Sequence, residues 1–195
     1  MPGSLLLAAG ASSRLGRPKQ LLVYEGQTLV VRAASAALHA GCEPVVVVTG
    51  ANAAAIGEAL AGLPVHLQFN GEWNLGMGAS ISCGIQYLQQ QPNCPDAVLI
   101  MLTDQPFADA PYLNQLIAAY RQNQLLAASL YPDGTWGVPA IFHKNLWPLL
   151  AQLKGAQGAK SIIEAHRSRG VGVDFPGGKW DVDTEQDWNT LNNSL

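Results

Sequence analysis

Arg14 and Lys19 stand in a run of small and glycine residues, Ala8-Ala9-Gly10-Ala11-Ser12-Ser13-Arg14-Leu15-Gly16-Arg17-Pro18-Lys19. A turn of small residues lets backbone N–H groups approach a polyphosphate, while a guanidinium fork and an ammonium point charge neutralise it. An ordinary strand-to-helix turn with basic surface residues would read the same way. The run lacks the Gly-Lys-Ser/Thr ending of a Walker loop. A second group of residues is acidic. Asp104 closes an apolar run ahead of Gln105-Pro106, and Asp181-Val182-Asp183-Thr184 precedes the last helical stretch. Carboxylates so placed can hold a hard divalent cation through oxygen, or can serve as turn and helix-cap residues. Between these groups lies Asn70-Gly71-Glu72-Trp73-Asn74-Leu75-Gly76-Met77-Gly78-Ala79-Ser80. Ser80, at the predicted start of a helix, can present its hydroxyl and the helix N-terminus to a ligand, or simply cap the helix. Trp73 and Met77 suit packing and ligand contact equally. Gly76-Met77-Gly78 is not a dinucleotide fingerprint, because Ile81 takes the third glycine position and the strand at 45–48 ends in Thr49-Gly50 without a ribose-binding acid. A dehydrogenase is therefore disfavoured.

The elements that must position these groups alternate along the whole chain. Residues 5–9 read as a buried strand. Thr28 is placed to cap a helix that Gly41 stops after residue 40. Val45-Val46-Val47-Val48 predicts a central parallel strand covered on both faces. Asn52 is a candidate cap for the next helix, and strands follow at 65–69 and 96–103, with a helix over 80–90 between them. A helix over 110–123, a strand over 125–131, a turn at 132–134 and a returning antiparallel strand at 138–142 come next. Helices near 145–153 and 158–168, a short strand at 171–175 and a helix after Thr184 complete the chain. This order predicts one domain over 1–195, a three-layer α/β/α sandwich with a mostly parallel Rossmann-like sheet and a short antiparallel element. Ligands bind such sheets beyond the carboxyl ends of the strands, which is where the runs at 10–19, 70–80 and 104–106 all fall.

Composition narrows the function classes. Across 195 residues the chain is 48% hydrophobic and 13% charged, a globular profile. A net charge of −3 gives no electrostatic footprint for nucleic acid. Cys42, Cys83 and Cys94 form no CxxC pair, and His39, His66, His143 and His166 no HExxH pattern, so reduced thiols and no zinc site are expected. The apolar stretch at 4–9 lacks a basic flank and ends at Ser12-Ser13-Arg14, and no apolar run reaches membrane-spanning length. A soluble, cytoplasmic protein without membrane partners is the expectation.

Taken in order, Leu7-Ala8-Ala9-Gly10-x-Ser12-x-Arg14-x-Gly16-x-x-Lys19, Asn70 with Trp73 and Gly76-Met77-Gly78-Ala79-Ser80, Asp104-Gln105-Pro106 and Asp181-Val182-Asp183-Thr184 resemble the molybdenum cofactor cytidylyltransferases. These belong with the guanylyltransferases among the nucleotidyltransferases related to molybdenum cofactor synthesis, and the resemblance covers nearly the whole chain. It implies a sheet of the nucleotide-diphospho-sugar transferase type. It implies a nucleotide site from Leu7, Ala8, Ala9, Gly10, Arg14, Lys19, Asn70, Gly76, Gly78 and Ser80, with the second loop reading the base. It further implies Mg²⁺ shared by Asp104 and Asp183, with Asp181 orienting the site, and Lys19, Arg14 and Asp104 as the catalytic groups. The implied reaction transfers CMP from CTP to molybdopterin-bound molybdenum cofactor with release of pyrophosphate. The Leu-Ala-Ala-Gly form of the loop is associated with cytidine, and the Ala9 methyl would penalise guanine by narrowing the space beside the base.

Three positions depart from that pattern. Val138 stands where a histidine is common, Ala156 where an aspartate is common and Lys160 where an arginine is common. All lie in the half expected to shape the acceptor pocket. Transfer to another phosphorylated acceptor, such as a sugar phosphate or phosphorylated small acid, therefore stays open beside the molybdopterin reading. So does a non-catalytic nucleotide-binding partner of a cofactor-containing enzyme, and the resemblance leaves room for transient contact with a molybdoenzyme or its chaperone.

Overall fold

Val45-Val46-Val47-Val48 offers no polar side chain to either face, and in the computed structural model all four are buried inside the main sheet. The structure describes residues 1–182 and 184–192, with the backbone alone at Lys179. In chain order the elements are β1 (Gly3–Leu7), β2 (Val23–Tyr24), β3 (Gln27–Thr28), α1 (Leu29–His39), β4 (Val45–Thr49), α2 (Ala53–Ala59), β5 (His66–Phe69) and α3 (Met77–Gln89). They continue with β6 (Ala97–Leu102), α4 (Ala110–Asn123), β7 (Leu126–Leu130), β8 (Trp136–His143), α5 (Trp147–Leu150), α6 (Lys160–Ala165), β9 (Val171–Asp174) and α7 (Glu185–Asn192).

Among the described residues one seven-stranded sheet runs β5-β4-β1-β6-β8-β7-β9, and β8 alone lies antiparallel to its neighbours. Alternation along β1 divides its side chains between the two faces. Leu6, with Val45, Val47, Leu99 and Met101, packs under α1, α2 and α4. Leu5 and Leu7, with Val46, Val48, Val98 and Ile100, pack under α3, α5 and α6. The first crossovers place α1 and α2 on one face, and the chain then changes face through α3 to pair β6 on the other side of β1. That reversal opens a crevice at the carboxyl ends of β1 and β6. The expected three-layer, mostly parallel architecture with its antiparallel element is the one found.

Local departures have physical reasons. β1 ends at Leu7, not Ala9: Ala8 N still donates to Val48 O, but Ala9 O turns away to accept from Ala51 N. Thr28 caps α1 through Val31 N, whereas Asn52 sits at the start of α2 without a side-chain cap bond. α3 begins at Met77, three residues earlier than expected, because Gly76 at φ +115° turns the chain and Gly78 N finds an acceptor in Gly155 O. Ser80 is therefore inside the first turn and does not start the helix. The ribbon β2–β3 was not foreseen in the sequence. Its turn has positive φ at both Glu25 and Gly26, the geometry normally announced by Asn-Gly, and Glu in the first position hides the signal. No helix among the described residues is long and apolar enough to cross a membrane.

Candidate active site

The loop that leaves β1 is held from within by a residue the sequence reading passed over. Gln20 is 1% exposed, and its Nε2 donates to Ala8 O at 3.1 Å and Gly10 O at 2.8 Å. Ser12, at φ +55°, donates through Oγ to Gln20 Oε1 at 3.3 Å and accepts from Lys19 N at 3.1 Å. The two polar side chains close the loop into a ring and fix where Lys19 leaves it. The available signal was a lone amide after Pro18-Lys19, followed at once by Leu21-Leu22. Gly10 has ordinary φ, and a β-carbon built on it meets nothing within 4 Å. The bare α-carbon therefore leaves space open above the loop and fills no packing need.

Lys19 reaches across the crevice to the end of β6, where Nζ lies 2.5 Å from Asp104 Oδ2. Asp104 is 8% exposed, and its other carboxylate oxygen, Oδ1, is buried with no hydrogen-bond partner among the described residues. A buried anionic oxygen without a donor is costly unless a cation completes it, so this end of the carboxylate fits a hard divalent ion. No group of three or more His, Cys, Asp or Glu with metal-site geometry occurs among the described residues, so further ligands would come from phosphate oxygens and from outside that set. Val182 N donates to Asp104 O at 3.1 Å, tying the 181–184 run to the same strand end. Asp183 itself lies outside the described residues. The capping role open to it in the sequence is filled by Thr184, whose N and Oγ1 both donate to Asp187 Oδ2 at 2.8 Å while Asp187 N returns a bond to Thr184 Oγ1.

These groups border a cleft of about 230 Å³ that also brings together Leu7, Ala9, Gly10, Gly76 and Ser80. Trp73 and Met77 line it too, and Trp73 also packs against the core on the α3 face. Other predicted residues sit around the cleft. Ala8 points into the core on the α1 face, and Arg14 is exposed on the first loop. Asn70 is buried and engaged at both ends, donating to Ser80 Oγ at 3.1 Å and accepting from Glu72 N at 3.0 Å, so it shapes the second loop. Gly76 and Gly78 are required by protein backbone: built β-carbons would lie 2.4 Å from Gly155 O and 2.7 Å from Lys154 N. Trp73 is seated on Gly50, where an added β-carbon would come within 2.5 Å of the indole side chain.

A second cavity of about 210 Å³ adjoins the cleft and is lined mainly by apolar groups, among them Ile81, Ile100, Trp136 and Val138, with Lys160 also bordering it. Tyr131 on its wall donates to Val138 O and accepts from Gln105 Nε2 at 2.9 Å. Burial, with the nearby Asp181, Asp104 and Asp133 carboxylates, pushes the Tyr131 phenol up to about 12, so it stays a neutral donor. Arg167 lies 5.0 Å from the centre of the Trp136 ring and braces it from outside. Trp136, Tyr131 and Gln105 were not singled out as site residues in the sequence.

Residues 4–170 match the family model of the MobA-like NTP transferase domain. The chain is 38% identical over 166 residues to nicotine blue oxidoreductase of Paenarthrobacter nicotinovorans, covering 82% of this chain and 79% of that one. It is 26% identical over 204 residues to the purine catabolism protein PucB of Bacillus subtilis, covering 98% and 96%. The crystal structure of Rv0371c from Mycobacterium tuberculosis superposes with a TM-score of 0.80 at 29% identity over the whole of both chains. A structure of Rv0371c in complex with manganese gives a TM-score of 0.76 at 27% identity, covering 99% and 98%. With the family match spanning both site loops and the ends of β1 and β6, the chain belongs to the MobA-like NTP transferase family and is a nucleotidyltransferase.

Proposed function

We propose that the chain transfers CMP from CTP to molybdopterin-bound molybdenum cofactor, releasing pyrophosphate, with Mg²⁺ as its metal. The observation that carries the reading is the pairing of Lys19 with one oxygen of Asp104, a residue lining the cleft, while no described residue donates to the other, buried oxygen. A phosphate oxygen of the acceptor attacks the α-phosphorus in line, a new P–O bond forms, and the bond to the β-phosphate oxygen breaks with its electron pair leaving on pyrophosphate. An ionised phosphate needs no protein base, so the chain's work is positioning and charge neutralisation. Asp104 and Asp183 would hold the divalent cation, which when bound neutralises triphosphate charge and polarises the α-phosphate. Lys19 is held by the Gln20 ring at the place where charge builds on the leaving phosphates, and Arg14 lies on the same loop. The reading of manganese as a neighbour's ligand supports a divalent-cation site in this fold, and Mg²⁺ is our choice within that class.

The oxidoreductase name of the Paenarthrobacter relative is not carried over. The glycines that would have to approach a dinucleotide, Gly76 and Gly78, are instead pressed against residues 154–155. Transfer to a different phosphorylated acceptor is favoured by two departures that border the second cavity: Val138, where the cytidylyltransferases commonly have a histidine, and Lys160, where they commonly have an arginine. Action in the cytoplasm and brief contact with a molybdoenzyme or its chaperone belong to the same proposal.

The test is pyrophosphate release with Mg²⁺ and molybdopterin-bound molybdenum, comparing CTP, GTP, ATP and UTP. Release is expected with CTP, to require the acceptor, and to fall by about 10²–10³ in Lys19→Ala and in Asp104→Ala, the scale seen when one preorganised electrostatic contact is removed. Near-normal turnover in either variant would remove that residue from the mechanism. Equal use of GTP, or release with a sugar phosphate in place of the molybdenum cofactor, would overturn the substrate assignment.

A further inference from the structure

Resting on the nucleotidyl-transfer reading, we infer that Met77 is a movable partition between the nucleotide cleft and a separate acceptor chamber, and that its flexibility is what lets the two substrates meet. The cleft and the second cavity share Leu7, Met77 and Leu102 as wall. Their chemistry differs. Lys19, Thr103 and Asp104 border the first, which suits a triphosphate with its cation. Ile81, Ile100, Trp136 and Val138 border the second beside Tyr131 and Lys160, without a carboxylate, which suits a planar ring with polar groups at its edge. The two spaces are similar in volume, about 230 and 210 Å³, and reactants seated one in each would face one another past these three side chains.

Two of the three wall residues have their backbones fixed. Leu7 and Leu102 are register partners at the ends of the adjacent strands β1 and β6 and are held by the sheet ladder. Met77 is different. It is 42% exposed, it is the first residue of α3, and Gly76 before it turns the chain at φ +115°. An unbranched thioether with three rotatable side-chain bonds adapts its shape at little cost. Its sulfur rests over Gly158, where a built β-carbon would lie 3.2 Å from Sδ, so the bare glycine gives the side chain room on the acceptor side. A stiff side chain at 77 would keep the wall closed while leaving both chambers intact.

The chain has three methionines, so methyl-¹³C methionine labelling gives a simple spectrum, with the Met77 signal identified by its loss in Met77→Leu. CTP–Mg²⁺ and, separately, 6-hydroxymethylpterin as a planar-ring probe are each expected to shift the Met77 methyl, while the fully buried Met101 stays in place. In Met77→Ile, whose β-branched side chain is fixed in χ1, CTP affinity is expected to stay within about twofold of wild type while kcat with the acceptor falls by about tenfold or more. A Met77 methyl that responds to one probe only or to neither, or a Met77→Ile protein with wild-type kcat, would overturn the inference. A wild-type protein that releases no pyrophosphate would instead remove the reaction proposed above, and the methyl shifts would still decide the partition.

Discussion

At the scale of single residues, the groups with charge were easier to find than the groups that aim them. Lys19 and Asp104 announce themselves by type and by position at strand ends. Gln20 does not, yet its three side-chain bonds to Ala8, Gly10 and Ser12 set the shape of the loop from which Lys19 extends. Replacing it removes a donor from the buried Ala8 carbonyl and from the partly buried Gly10 carbonyl. Gln20→Ala is expected to lose about 1–3 kcal/mol in urea unfolding, the cost of orphaned buried polar groups, and to weaken CTP binding by about tenfold. Unchanged stability and affinity would show that the loop closes without the amide. Asn70 carries a related lesson, since both ends of its side chain are spent on Ser80 and Glu72, so its effect on base recognition would run through the shape of the second loop.

At the scale of elements, the meeting of the 70–76 loop with residues 154–157 matters most for the cleft. Gly76 combines a positive φ with a backbone contact that admits no side chain, and Gly78 N is satisfied by Gly155 O across the same contact. Gly76→Ala must both adopt a conformation L-residues avoid and push Gly155 away. A loss of about 1–3 kcal/mol is expected. In a chain of this size that is a fall in thermal midpoint of about 2–4 °C per kcal/mol. A variant melting with wild type would show that the two segments separate freely. Ala156, where an aspartate is common in the resembled group, sits in this contact, which links that departure to the start of α3 as much as to the acceptor cavity.

At the scale of the whole molecule, the last described helix fastens the first loop. Trp188 and Leu191 of α7 pack with Leu15, Leu22, Tyr24, Leu29 and Val182 in a small core beside the main sheet. Arg17 reaches Glu185 of α7 through Nε at 2.9 Å and Nη2 at 3.0 Å, an exposed pair that adds little by itself. The family match ends at residue 170, so the α7 side of this brace lies beyond it. We propose that residues 1–195 unfold as one unit, and that Trp188→Ala lowers stability by about 3 kcal/mol while also weakening CTP binding, because truncating a packed aromatic loosens the core under Leu15. An early separate transition in calorimetry, or CTP affinity unchanged despite lost stability, would contradict that coupling.

Periodicity and strand-end chemistry made the layers, the mostly parallel sheet and the three loop segments legible in the sequence, because a fully buried strand such as 45–48 and a charged group at a strand end each leave a local trace. What the sequence could not give were relations between distant segments. The bonds of Gln20 to Ala8 O and Gly10 O, the packing of Gly76 and Gly78 on 154–155 and the bonds of Tyr131 and Gln105 to Val138 O all depend on backbone atoms, whose donors and acceptors are the same in every residue. The Lys19–Asp104 pair shows the division plainly. Residue type made both candidates, and only the pairing of β1 with β6 brought an ammonium and a carboxylate 85 positions apart into contact, with the second carboxylate oxygen buried.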